Sequence, residues 1–137
     1  MDPLAQRVLA RFTASSEGDD RALKALDKLK GIGKYNQKIP IPFGKPPVKT
    51  ELYAIMRHWK TTPKTLQLAD LTPTQETVLR YRVEGIIKAH VEKSALVVRK
   101  DGVNLVLDGH HRLTADYLRG RKNVEVDFSN LDSRTKK

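Results

Sequence analysis

The spacing of apolar residues changes several times along the chain, and each change marks an expected element. Over residues 3–12, Leu4, Val8, Leu9 and Phe12 fall three and four apart, the period of one helix face. The run TASSEGDD interrupts it. Asp19 or Asp20 can cap a second helix, on which Leu23, Leu26 and Leu29 alternate with lysines until Gly31 stops it. Residues 31–49, GIGKYNQKIPIPFGKPPVK, hold four prolines and three glycines, a density that removes backbone donors and favours extended conformations. A linker lying against the surface is predicted there. Leu52, Ile55, Met56 and Trp59 then return to helical spacing.

From residue 65 onward the periods alternate. TLQLADL reads as a strand. TPTQETVLRYRVEGIIKAH begins with helix punctuation, Thr72 at the N-cap, Pro73 first and Gln75 third, and carries a stripe of Leu79, Val83, Ile86 and Ile87. ALVVRK and VNLVLD flank Asp101-Gly102, a pair that supplies the positive φ angles of a tight hairpin turn. GHHRLTADYLRG follows as a helix with Leu113, Tyr117 and Leu118 inward and Gly120 as its stop. Val124, Val126 and Phe128 alternate with Glu125 and Asp127, a half-buried strand. The predicted fold class is therefore α+β, a small mixed sheet in the order β-α-β-β-α-β over residues 65–128. Residues 1–64 form a basic helical N-terminal extension, and 129–137 a flexible basic tail.

Composition narrows the function. A chain of 137 residues, 39% hydrophobic, can bury one modest core. No apolar run is long enough to span a bilayer, and MDPLAQRVLARF is too charged for a secretory segment, so a soluble, cytoplasmic protein is expected. The absence of cysteine excludes thiol nucleophiles and thiolate metal sites. Lysine and arginine number 26 against 16 acidic residues, a net charge of +10 that favours polyanionic partners, DNA foremost, although a basic protein without such a partner is the plainer reading. Residues 1–63 hold 12 basic and 6 acidic residues and 64–137 hold 14 and 10, so the surplus leans toward the extension.

The densest chemistry lies where VNLVLD meets GHHRLTADYLRG. A helix N-terminus offers unpaired N–H groups and the positive end of the helix dipole, and so accepts an anion. Gly109 lets a phosphate approach that backbone, and Arg112 can grip it bidentately. His110 and His111 can donate to phosphate, transfer protons or bind metal. Asp108 can orient a histidine, hold a divalent ion through water, or cap the helix. Ordinary cap chemistry accounts for the same Asp-Gly pair. A structural zinc site is disfavoured, because three candidate ligands within four residues do not converge on one tetrahedral ion. A second phosphate candidate is LKGIGK, a Gly-x-Gly turn of the kind with which helix-hairpin-helix modules present amides to DNA. No second helical pattern follows it, and a helix stop is the preferred reading.

LADLTPTQETV and LVLDGHHRLTADYLRGRKNVEVDF together resemble the ParB/sulfiredoxin superfamily over residues 65–128, and look most like its small ParB-like nuclease-domain proteins of phages and mobile elements. The resemblance implies a nucleotide or phosphate pocket between the amino ends of two helices. Gly109, His110, His111 and Arg112 would form its phosphate motif, with Asp108 leading it and Thr74, Gln75 and Glu76 facing it. His110 stands where sulfiredoxins need a cysteine, which removes that activity. Partition proteins add a downstream helix-turn-helix, and no such pattern follows here. Free-serine kinases of the superfamily share Asp-Gly-His-His-Arg and use a nearby carboxylate as base, a role open to Glu76.

The expected function is that of a phosphoryl-handling enzyme that cleaves DNA or hydrolyses a nucleotide (ATP, ADP or CTP). A divalent ion, Mg²⁺ or Mn²⁺, would sit at Asp108, and His111 or Glu76 would act as acid or base. The alternatives are a non-catalytic module docking on nucleic acid or a host protein, and a small-molecule kinase.

Overall fold

A computed structural model describes residues 18–52, 60–89 and 93–132; the helix expected over 3–12, and all but the first residue of that expected over 52–59, lie outside these residues. Helix α1 covers residues 18–28, and a single 3-10 turn, Lys34–Asn36, precedes strand β1, Lys38–Pro40. Strand β2 (Thr62–Gln67), a second 3-10 turn (Leu68–Asp70), β3 (Leu71–Pro73) and β4 (Thr77–Leu79) lead into α2 (Arg80–Ala89). Strands β5 (Ala95–Lys100) and β6 (Val103–Asp108), helix α3 (His110–Leu118) and strand β7 (Asn123–Asn130) complete it.

Five strands form one mixed sheet in the order β2-β7-β5-β6-β3, and β1 pairs with β4 in a two-stranded sheet. The β5–β6 hairpin has the turn expected of Asp-Gly, with φ 54° at Asp101 and 76° at Gly102. Asp132 accepts both turn amides on its carboxylate, from Asp101 at 2.7 Å and Gly102 at 2.9 Å. Strand β7 adds parallel to β5, and its Val124, Val126 and Phe128 face the core as their alternation requires. With Ala95, Val97, Val106 and Leu113 they build one apolar cluster.

A second cluster joins the three helices to the small sheet through Ala22, Leu26, Ile39, Val78, Val83, Ile87, Ala115 and Leu118. Residues 18–43 are thus part of the core and not an appendage to it. Arg119 ties α1 further, its Nε donating to Asp19 Oδ1 at 3.0 Å with both side chains largely buried. The predicted linker contains β1, buries Ile39 and Phe43, and lines the open edge of β3 through Lys45 N–H to Leu71 O (2.8 Å) and Val48 N–H to Pro73 O (3.0 Å). Its prolines permit this, since an extended segment at a sheet edge donates few bonds.

Three further expectations change. The flexible tail expected from residue 129 instead opens as the end of β7, with Ser129 buried and Asp132 bound to the hairpin turn. The helix predicted from Thr72 begins at Arg80, eight residues later, because Leu71, Thr72 and Pro73 pair parallel with Asn104, Leu105 and Val106. Tyr117 stays 45% exposed while Leu113 and Leu118 turn inward. Among the described residues, no helix is long and apolar enough to cross a membrane.

Candidate functional site

The junction of β6 and α3 is built on Gly109. Its φ of 95° is left-handed, and an added Cβ would lie 2.7 Å from the Ala95 Cβ. Glycine is therefore demanded by the neighbouring strand as well as by the turn. Leu113 N–H donates back to Gly109 O at 2.9 Å, starting α3 without a side-chain cap.

Both histidines bind backbone. His110, 4% exposed, accepts the Thr74 N–H on Nε2 at 3.0 Å, and His111 accepts the Leu79 N–H on Nε2 at 3.1 Å. Acceptance at Nε2 places the neutral ring's proton on Nδ1. Burial, then the charge of His111, pushes His110 down to about 4, against a smaller opposing pull from Asp108. His111 is lowered too, by burial and then by Arg82. Thr74 Oγ1 donates to Val106 O at 2.6 Å, which completes a clasp between the β3–β4 turn and the β6–α3 junction.

Beside this clasp lies a cleft of about 370 Å³, lined by Asp108, Gly109, His111 and Arg112 from the junction, Arg82, Gly85 and Ile86 from α2, and Lys93 and Ser94 ahead of β5. Three cations and one carboxylate thus surround the amino end of α3, an arrangement that stabilises an anion. Arg112 is held in place: its Nη1 donates to Lys93 O at 2.9 Å and its Nε pairs with Asp116 at 3.2 Å. Asp116 is 2% exposed and also receives Arg121 Nη1 at 2.7 Å, with Arg119 Nη1 at 3.8 Å. On the far side of Arg112 and Ser94, which both hollows share, a second one of about 420 Å³ is lined by Arg121, Asn123 and Glu125 among others.

The structure brings together Asp108, Gly109, His111 and Arg112 at the cleft, while His110 lies beneath it in contact with Thr74. Thr74, Gln75 and Glu76 sit on the β3–β4 turn and not on a helix, so the pocket is not formed by two helix ends. Gln75 Nε2 donates to Thr77 O at 2.8 Å, Glu76 O accepts the Ile41 N–H, and neither residue lines the cleft. Arg82, Lys93, Ser94 and Asp116 escaped the sequence reading. Two of them were within reach: counting back along the hairpin from Asp101-Gly102 sets the start of β5 beside the end of β6, where Leu96 pairs with Asp108.

Among the described residues no three His, Asp or Glu side chains converge as a metal cage. A divalent ion at Asp108 would have one protein carboxylate and complete its shell from phosphate and water, as magnesium commonly does. Comparison of the chain with protein families, curated proteins and solved structures returned no match.

Proposed function

We propose that this protein binds the phosphate of DNA or of a nucleotide (ATP, ADP or CTP) in the cleft at the amino end of α3, and hydrolyses a phosphodiester or phosphoanhydride bond there. The observation that carries this reading is the convergence of Arg82, Lys93 and Arg112 on the Gly109 junction. The resemblance to the ParB/sulfiredoxin superfamily supports it, since the Asp-Gly-His-His-Arg text falls at this cleft. Arg112, fixed by Asp116 and Lys93 O, holds a phosphate oxygen, and Arg82 and Lys93 offset charge that builds on the phosphoryl group. Asp108 accepts from the attacking water or holds Mg²⁺ or Mn²⁺, which when bound would polarise the phosphate. His111 donates from Nδ1, since its Nε2 is committed to Leu79.

The test is nicking of supercoiled plasmid and release of phosphate from nucleotides, each with and without Mg²⁺ or Mn²⁺, by the wild type, Asp108→Asn and Lys93→Gln. We expect activity to fall at least a hundredfold in Asp108→Asn and about tenfold in Lys93→Gln, with folding unchanged. Equal activity in all three proteins rejects the cleft as the catalytic site.

A second reading has an observation of its own. Both histidines spend Nε2 on backbone amides, as structural residues do, which favours a module that binds nucleic acid or a host protein without cleaving it. Binding of DNA that depends on Arg82 and Lys93, with no turnover under any metal, would select it. For a kinase acting on a small hydroxyl substrate, the base that the resemblance implies is Glu76, and Glu76 does not line the cleft.

A further inference from the structure

We propose that the loop at residues 31–36 is a stacking platform for single-stranded DNA, with Tyr35 packing on a base and the lysines around it on the strand's phosphates. This goes beyond the cleft reading; only the choice of DNA as the polymer rests on it.

The loop is strained and held. Tyr35 and Asn36 take φ of 59° and 54°, consecutive left-handed residues that are not glycine, directly after Gly33 at 81°. Such conformations persist only where the surroundings impose them, and they concentrate at functional sites. Arg80, the first residue of α2, does the imposing. Its backbone N–H donates to Gln37 O at 2.8 Å, its Nε to Asn36 O at 3.2 Å, and its two terminal nitrogens to Leu26 O and, at 2.7 Å, to Leu29 O at the end of α1. Gly31 leaves no room for a side chain, since a Cβ there would strike the Asn36 carbonyl.

This well-anchored loop presents its aromatic ring to solvent. Tyr35 is 79% exposed, more than any other exposed large hydrophobic residue among those described. Lys34 Nζ lies 5.3 Å from the ring centroid. Arg21, Lys24 and Lys28, all exposed and spaced three and four apart, form a cationic stripe along α1, which Lys30, Lys34 and Lys38 continue. Residues 20–38 hold six basic side chains against Asp20 and Asp27.

A rigid exposed aromatic ring set in lysines is the chemistry that recognises an unpaired strand: every base offers a stacking face, and the phosphates follow the cations. A duplex hides those faces. An anionic membrane would need a broader apolar face than Tyr35 and Ile32 provide. Arg80, which anchors the loop, opens the same helix α2 whose Arg82, Gly85 and Ile86 form one wall of the cleft.

The experiment is fluorescence anisotropy of labelled dT20 with the full chain, comparing the wild type, Tyr35→Phe, Tyr35→Ala, Tyr35→Gly and the triple variant Lys24→Gln, Lys28→Gln, Lys34→Gln. Tyr35→Phe keeps the wild-type affinity within about twofold, and Tyr35→Ala and Tyr35→Gly lose about ten- to a hundredfold. Tyr35→Gly at the same time unfolds at an equal or higher temperature, because glycine adopts the left-handed backbone without strain; this separates lost binding from lost fold. The triple variant lowers the slope of log affinity against log salt by about 2, the value for three phosphate contacts on a single strand. Wild-type affinity in Tyr35→Ala overturns the proposal, as does equal loss with a duplex. Tighter binding of rU20 overturns the assignment to DNA, and Tyr35-dependent binding to anionic vesicles without dT20 binding overturns both. Tyr35-dependent dT20 binding in a protein that cleaves neither plasmid nor nucleotide sinks the hydrolytic reading of the cleft and leaves the platform standing.

Discussion

His110 carries the most direct consequence at the scale of one residue. The ring accepts the Thr74 amide only when neutral, and burial holds its folded value near 4 while the unfolded chain titrates near 6.5. Between those values the unfolded state binds the extra proton, so stability falls as pH drops from 6.5 to 4 and the contribution levels off below 4. The shift corresponds to roughly 3 kcal/mol. Urea unfolding of the wild type and His110→Gln across pH 7 to 3.5 measures it: the wild type should show the steeper loss above pH 4, with His111 adding in the same direction. Parallel curves would mean that His110 titrates alike in the folded and unfolded states. In the sequence the two histidines could equally have been ligands, acids or phosphate donors, and only the position of a distant turn decides that they accept backbone amides.

Among elements, the start of α2 shows local signals losing to pairing. Thr72, Pro73 and Gln75 have the text of a capped helix, yet β6 offers an open parallel edge, and three residues there gain ladder bonds together with complete burial. Proline is admissible because it needs no donor in β3, Thr72 is buried in that strand instead of capping a helix, and Thr74 on the following turn donates its hydroxyl to Val106 O. The β6–α3 junction, by contrast, was legible as a polar strand-to-helix turn, while the fold adds that Gly109 is left-handed and pressed against another strand, a position only glycine suits. Gly109→Ala should therefore cost about 2–4 kcal/mol, combining backbone strain with the clash against Ala95. Denaturant midpoints check this, and a loss below about 1 kcal/mol would show that Ala95 yields readily.

For the whole molecule, the finding that matters is that α1 and the proline-rich segment belong to the core. Leu26 is 1% exposed in the cluster that joins α1 to α2 and α3. Leu26→Ala should lower the stability of the entire protein by about 2–5 kcal/mol in one cooperative transition. A core transition that stays in place while helical signal melts early would mean that α1 is an appendage after all. Removal of residues 1–49 would take away Ala22, Leu26, Ile39 and Phe43 together, and so cannot test binding on an intact fold.

The sequence by itself determined the elements whose causes are local. The Asp-Gly hairpin, the alternation of Val124, Val126 and Phe128, the stop at Gly120 and the polar junction before α3 all follow from φ preferences and side-chain period within a few residues. It also placed Asp108, Gly109, His111 and Arg112 together, because they are neighbours in the chain. The tertiary structure decided whatever depended on distant partners: that residues 71–73 pair with β6, that Ile39 and Phe43 turn inward from a proline-rich stretch, and that Tyr117 turns outward. It decided, too, that Arg82 and Lys93 join the cleft while Glu76 does not. Free energy at those positions comes from surfaces and hydrogen-bond partners tens of residues away, and local spacing carries no record of them.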